Sequence, residues 1–286
     1  MATTRDALSE AQFRRLVDLI QGKVGIRLPP MKRVMVEARL RRRVRALDLP
    51  DLASYGEQVI EGTLSGEELV HLIDCVTTNK TDFFREPAHF DVLRDTIVPQ
   101  ALASQPRGGQ LKVWSAACST GAEPYTIAMV LDDMASRTPF RFQVMGTDIS
   151  TQVLAQARRA IYPADMANAI PQALRRRYVM SARDPAAGDV RIVPELRRMV
   201  GFGRVNLMDA QYPVDRDMDV IFCRNVLIYF DRQTQRQVLD RLISHLRPGG
   251  WLLIGHSESM ACHDNGGVRQ IMPTVYQTDK ARARAA

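Results

Sequence analysis

Four short segments of this 286-residue chain carry side chains able to do chemistry. The first is Ser119-Thr120-Gly121-Ala122-Glu123-Pro124, directly after the apolar run from Leu111 to Ala117. A turn of small residues between a strand and a helix lets the backbone approach a nucleotide closely. This turn is not G-x-G-x-x-G, so a dinucleotide pyrophosphate is not indicated, and it lacks G-x-x-x-x-G-K-[ST], which excludes a P-loop. The second is Asp148, at the end of the run Phe142-Gln-Val-Met-Gly-Thr-Asp148. An acid at that strand end accepts hydrogen bonds from both hydroxyls of a ribose. A lone Asp there also serves as an N-cap for the next helix.

The third segment is Arg224-Asn225-Val226-Leu227-Ile228-Tyr229-Phe230-Asp231, which closes the strand-like run Ile221-Phe-Cys223. Arg and Asn at a strand's carboxyl end face the ligand cleft of an open parallel sheet. The competing reading is a capped strand with Tyr229 and Phe230 in the core. The fourth, Thr77 to Glu86, is rich in hydrogen-bonding side chains and holds the pair Phe83-Phe84. It reads either as a ligand-covering segment or as a linker whose aromatics dock on a sheet. Taken together, the Gly121 turn and Asp148 point to a single ribose without a phosphate cradle. That suits S-adenosylmethionine better than NAD.

Two kinds of element surround these segments. Residues 1–77 read as a small helical domain. Ser9 and Gln12 form a capping box, and Phe13, Leu16, Leu19 and Ile20 follow at helical spacing. Pro29-Pro30 interrupts, a second helix spans Met31 to Leu47, and Ser54 and Ser65 read as further N-caps. Beyond Thr77 apolar runs of strand length alternate with helical patterns. Strands fall near 111–117, 142–148, 219–223 and 251–255, with helices over 124–135, 151–159 and 232–246 and a turn at Pro248-Gly-Gly. This alternation predicts an α/β fold, a mostly parallel sheet with helices on both faces. Residues 160–205 fit it poorly and read as a β insertion near 178–204, with Val190–Val193 and Met199–Phe202 as its short strands. The expected divisions are a helical domain over 1–77, a linker over 78–90 and an α/β domain over 91–286. Lys280 to Ala286 reads as a frayed basic tail.

Composition narrows the classes. Hydrophobic residues are 45% and charged residues 25%, which excludes a disordered chain, a collagen and a disulfide scaffold. No run reaches the roughly 18 apolar residues of a membrane span. The first ten residues lack the apolar core of a signal peptide, so a cytoplasmic protein is expected. The cysteines Cys75, Cys118, Cys223 and Cys262 are scattered and form no C-x-x-C, so neither zinc ligation nor a disulfide framework is expected. The net charge of +7 implies an acidic partner. Much of it lies on the second helix, in Lys32, Arg33, Arg39, Arg41, Arg42, Arg43 and Arg45. There Val36, Leu40, Val44 and Leu47 form one apolar stripe, which leaves Arg41, Arg42 and Arg45 on the opposite face. Aromatic interleaving for base stacking is absent, so nucleic acid is not the expected partner.

Five motifs occur in order: Thr-Thr-Asn-x-Thr-x-Phe-Phe-Arg-Glu, Trp-Ser-Ala-Ala-x-Ser-Thr-Gly-x-Glu-Pro-Tyr, Thr-Asp-Ile-Ser, Phe-Cys-Arg-Asn-Val-Leu-Ile-Tyr-Phe-Asp and Gly-His-Ser-Glu. On these motifs the chain resembles the chemotaxis receptor glutamate methyltransferases, the CheR family, over about residues 10–280, nearly its whole length. The resemblance implies a Rossmann-like methyltransferase domain after a small all-α domain. It also implies methyl transfer from S-adenosylmethionine to receptor glutamate carboxylates, leaving S-adenosylhomocysteine. By that likeness Asn79, Thr81, Arg85, Glu123, Asp148, Asn206, Leu207, Asn225 and Val226 are expected at the cofactor, with Arg85 and Tyr229 near the reacting centre. Ala122 departs from the pattern, since many members have a second Glu there. The basic face of Arg41, Arg42 and Arg45 is expected to meet the helical bundle of a chemoreceptor, and no metal or membrane insertion is expected. Some members grip a receptor peptide through a Gly-x-Gly in the insertion; Ser181-Ala182-Arg183-Asp184 lacks it, so no tether is expected. Two alternatives stand beside this reading. One is a silent cofactor-binding regulatory module. The other, a nucleic-acid methyltransferase, is disfavoured because the Arg224–Leu227 loop lacks the Asn/Asp-Pro-Pro of the amino-methylating enzymes.

Overall fold

The structure, a computed structural model, describes residues 6–104, 109–181, 188–260 and 267–279. They divide into two compact units: one runs to Thr78 and includes Tyr229–Thr234, and the other holds Asn79–Ile228 and the residues from Gln235 onward.

The first unit is helical. Helix α1, Glu10–Val24, starts at the expected capping box: Gln12 N–H donates to Ser9 Oγ at 3.1 Å and Ser9 N–H to Gln12 Oε1 at 2.9 Å. Helix α2, Arg33–Ala46, follows a single 3-10 turn at Pro30–Lys32 and buries Val36, Leu40 and Val44. Leu47, expected on the same stripe, ends the helix half-buried. Helix α3, Leu52–Glu61, is capped by Asp51 rather than Ser54; Ser54 instead donates its N–H to Asp51 Oδ1 at 2.8 Å. Helix α4, Gly66–Val76, begins after Ser65 as expected, without a side-chain cap bond. At the centre of the bundle Tyr55 donates to Glu68 Oε1 at 2.9 Å, and Arg43 donates to both oxygens of Glu68 at 2.9 and 2.6 Å. Burial and the neighbouring Glu68 push the Tyr55 phenol far above its ordinary pKa.

The second unit opens with a helical stretch that the sequence reading did not anticipate: α5, Ala88–Val92, a π-turn over Leu93–Ile97, and α6, Val98–Ser104. Pro99 has no N–H to give to the carbonyl of Asp95, and the helix widens there. Then come β1 (Gln110–Ala116), α7 (Ala122–Ala135), β2 (Arg141–Asp148), α8 (Thr151–Arg159), β3 (Ile161–Pro163) and α9 (Gln172–Tyr178). They are followed by β4 (Val179–Ser181), β5 (Asp189–Ile192), α10 (Pro194–Arg197), β6 (Val200–Arg204) and β7 (Met218–Cys223). The remainder is α11 (Arg232–His245), β8 (Leu246–Ile254), β9 (Val268–Met272) and β10 (Val275–Thr278).

Seven strands form one sheet in the order β6-β2-β1-β7-β8-β10-β9. The pairs from β6 through β8 are parallel, and β10 runs antiparallel to both of its neighbours. Strand β7 is buried at all six positions, as an inner strand of a parallel sheet must be when helices cover both faces. Two expectations need correction. Residues 200–204 are not part of the insertion: β6 pairs with β2 from Val144↔Val200 to Asp148↔Arg204, on the edge of the main sheet. The insertion is the separate antiparallel sheet β3-β5-β4. Nor does Pro248-Gly-Gly end in a turn before a new strand. Strand β8 runs through it, with Gly249 at φ 74° and a register shift against β7 between Met218 and Val220. Residues 182–184 of the stretch weighed for a peptide tether, and the basic tail from Lys280, lie outside the described residues. Among the described residues no helix is long and apolar enough to cross a membrane.

Candidate active site at the switch point of the sheet

The strand order reverses between β1 and β7, and in open α/β sheets ligands bind at the carboxyl ends of the strands flanking such a point. The turn after β1 is tight. Ala117 and Ser119 have φ of 58° and 51°, and Gly121 has 88°. Only Gly suits the last position, where a Cβ would stand 2.8 Å from Ala157 Cβ and 3.1 Å from the Tyr162 hydroxyl. That hydroxyl donates to the Thr120 carbonyl at 2.7 Å and fixes the turn.

Asp148 ends β2. Its Oδ2 accepts the Ser119 N–H at 2.8 Å and its Oδ1 accepts the Ser150 N–H at 2.9 Å. Helix α8 is capped by Ser150, whose Oγ accepts the Val153 N–H, so capping is not the role of Asp148. The acid is 8% exposed and oriented through both oxygens, one of them on the turn that follows β1. An oriented carboxylate beside a turn of small residues is the donor and acceptor set that a ribose diol fits.

A second feature is built around Arg224, which follows β7. Its side chain is 2% exposed and lies between two carboxylates. Nη1 donates to Glu123 Oε2 at 2.9 Å, and Nη2 donates to Glu86 Oε2 at 2.9 Å and to the Arg85 carbonyl. Ser115 Oγ donates to the other oxygen of Glu123 at 2.7 Å. Asn225, at φ 59°, donates its side-chain N–H to Glu86 Oε1 at 3.1 Å. Burial alone would raise the Glu86 carboxyl, but the hydrogen bond and charge of Arg224, with Asn225 and the His256 N–H, bring it down to about 2. Glu258 ties the next loop down: its carboxylate accepts the N–H groups of Asn225, Leu227 and Gly255 at 2.9, 2.7 and 2.6 Å. Burial nevertheless outweighs these donors and holds the Glu258 carboxyl above its usual range.

The residues singled out from sequence fall as follows. The carbonyl of Asn79 accepts the Ser119 hydroxyl at 2.8 Å, which joins the junction motif to the turn. Thr81 is half-buried next to Phe83, whose ring meets Tyr162 edge-on at 4.9 Å. The Arg85 side chain is exposed and donates to the Lys80 carbonyl at 3.2 Å. Asn206 Oδ1 accepts the Met208 N–H at 3.0 Å, and the carbonyl of buried Leu207 accepts the Tyr212 hydroxyl at 2.8 Å. Val226 is half-buried. Tyr229 groups with the helical unit, where Arg27 N–H donates to its carbonyl at 3.0 Å and Lys32 Nζ stands 5.5 Å over its ring.

The basic face of α2 is smaller than expected. Arg41 is held by Asp6, with Nε donating to Oδ2 at 2.8 Å. Arg33 pairs with Glu37, Arg39 donates to the Cys75 and Thr77 carbonyls, and Arg43 pairs with Glu68. Arg42 and Arg45 remain exposed. Sequence reasoning gave no role to Glu86, Glu258 or the inward turn of Arg224, although all three sit in the quoted motifs. A buried Arg with two acids is a positioning device, and its signal is the recurrence of a charged residue in each motif.

The sheet with a single reversed strand, the small-residue turn after β1 and the oriented acid after β2 define a Rossmann-like, S-adenosylmethionine-dependent methyltransferase. Residues 79–276 match the CheR methyltransferase SAM-binding domain, and residues 11–77 match the CheR methyltransferase all-alpha domain. The chemotaxis protein methyltransferase of Escherichia coli (strain K12) is 44% identical over 260 residues, covering 91% of this chain and 88% of that protein. That of Borreliella burgdorferi is 36% identical over 278 residues, covering 96% and 94%. Chemotaxis protein methyltransferase 2 of Pseudomonas aeruginosa is 38% identical over 264 residues, covering 92% and 91%. The chain belongs to the CheR methyltransferase family.

Proposed function

We propose that this enzyme methylates glutamate side chains of chemoreceptors in the cytoplasm, at the receptor arrays. The observation that carries the reading is Asp148, held through both oxygens at the end of β2 in a chain 44% identical to a chemotaxis protein methyltransferase. S-adenosylmethionine supplies, when bound, a methyl group on an activated sulfonium. Asp148 would hold the ribose, Glu123 would lie near the methionine or ribose portion, Asn225-Val226 would lie beside the methionine moiety, and Asn206-Leu207 beside the adenine. Asn79, Thr81 and Arg85 belong to the segment that would fold over the cofactor.

The acceptor needs little activation. A glutamate with a pKa near 4.3 is ionised at neutral pH, so the mechanism assigns no general base. What the chain supplies is position. Holding two reactants in line is worth roughly 7–11 kcal/mol of barrier. Arg224 clamps the Arg85 carbonyl and Glu86, so the backbone of the covering segment is fixed while the Arg85 guanidinium stays exposed. Arg85 is the residue of this segment assigned to orient the incoming carboxylate and the methyl donor. Arg85 must do so weakly, because uniform ground-state binding does not raise turnover.

Arg42 and Arg45 present the exposed charge of α2 to the acidic helical bundle of a receptor, and Arg41 contributes less because Asp6 holds it. No peptide tether is part of this reading. The test uses methyl-labelled S-adenosylmethionine with receptor-containing membranes. Label on the receptor that mild alkali releases as methanol is the expected outcome. Persistent absence of label across receptors, with cofactor still bound, would favour a regulatory module instead.

A further inference from the structure

Glu86, His89 and His256 offer three metal-ligating atoms within 4.8 Å of one another, and methyl transfer uses no metal. The decisive member is His89, whose side chain is 3% exposed. Its Nε2 lies 2.8 Å from Thr274 Oγ1. That hydroxyl donates its only proton to the Pro273 carbonyl at 2.6 Å, so it accepts from His89 and fixes the proton on Nε2. Nδ1 is left with a lone pair, is buried, and has no hydrogen-bond partner. It faces Glu86 Oε2 at 3.5 Å. In the neutral imidazole two acceptors thus oppose each other, an arrangement that costs free energy unless a cation lies there. His256 stands at the opening: its Nε2 is 3.9 Å from the same Glu86 oxygen, its ring centroid is 5.2 Å from that of His89, and its side chain is 56% exposed.

We propose that Glu86 Oε2, His89 Nδ1 and His256 Nε2 bind a borderline divalent cation of the zinc class, with water completing the shell. Two imidazoles and one carboxylate suit such an ion. Bonds of about 2.0–2.1 Å at tetrahedral angles place ligand atoms roughly 3.4 Å apart. The Glu86–His89 pair already has that separation, and the exposed His256 closes the remainder by a side-chain rotation. The His89 Nε2–H bond to Thr274 is the outer-shell contact that metal-bound imidazoles carry. Arg224, on the same Glu86 oxygen, opposes the ion, and Glu123 on its far side offsets part of that charge. The cation would fasten the segment bearing Glu86 and His89 to the turn after β8 that bears His256.

The test is a titration of the chelator-treated full chain with Co2+, read by visible ligand-field absorption, with Zn2+ as competitor. One equivalent of Co2+ with tetrahedral-type bands, displaced by Zn2+, is expected. His256→Ala, at an exposed side chain, should weaken Co2+ binding by at least about tenfold. His89→Ala should abolish the bands, with circular dichroism confirming that it folds. No saturable band below millimolar Co2+ would overturn the proposal. So would bands unaffected by His256→Ala, which would place the ion elsewhere.

Discussion

Arg224 and Glu86 form a buried ion pair: Nη2 donates to Oε2 at 2.9 Å, with side chains 2% and 12% exposed. The pair matters because Glu123 shares the same guanidinium, and both acids lose their cation if it goes. Breaking a buried pair by removing one partner costs about 3–5 kcal/mol. Arg224→Met should therefore lower the unfolding free energy by about that amount in urea titrations. A loss under about 1 kcal/mol would show that the two carboxylates find other partners.

The same pair sets an acid limit. The folded Glu86 carboxyl is depressed to about 2 from an ordinary value near 4.5. Its contribution to stability is complete above the ordinary value and is lost as pH falls toward 2. Urea unfolding with chelator present, from neutral pH to pH about 3, should show a steeper acid loss for the wild type than for Glu86→Gln. Parallel curves would remove Glu86 from the account.

Gly121→Ala should destabilise the protein by about 1–3 kcal/mol through overpacking, with a further cost from its positive φ. The new methyl would stand 2.8 Å from Ala157 Cβ. Ala157→Gly in the same chain should recover only the packing share, as read by thermal unfolding.

Asp148→Asn should weaken S-adenosylmethionine binding about 10- to 150-fold, the range for losing a charge-assisted hydrogen bond of roughly 1.5–3 kcal/mol. Calorimetry on the folded variant measures it. Unchanged affinity would displace the ribose from β2.

Arg42→Ala with Arg45→Ala should raise KM for receptor several-fold and leave cofactor affinity alone. Arg41→Ala should act mainly on stability, because its partner Asp6 also accepts the Leu52 N–H at 3.1 Å. Equal losses of cofactor affinity in the double variant would point to misfolding.

The sequence was most readable where burial is two-sided. Strand β7 is apolar almost throughout because helices cover both faces of the sheet, and it stood out as a strand. Met199–Phe202 reads as a short strand, but its place on the edge of the main sheet beside β2 is not legible, because Gly201 and Gly203 dilute its pattern and β2 is distant in sequence. Asp148 was legible because strand and acid are contiguous. The inward turn of Arg224 was not, because its partners Glu86 and Glu123 are 138 and 101 residues away. Distance in sequence likewise hid the Asp6 partner of Arg41, 35 residues off.

Strand β10 lies between β8 and β9 although it is the last of the three to be made. Among the described residues strand β9 pairs with β10 alone, so a chain made only through Met272 has nothing to seat β9 on the sheet and leaves the outer edge of β8 open. Both strands then offer unpaired edges, the condition under which chains join one another. A chain truncated just before Val275–Thr278 is therefore expected to be lost to aggregation rather than to persist as a weakened enzyme, which the soluble fraction on expression would read.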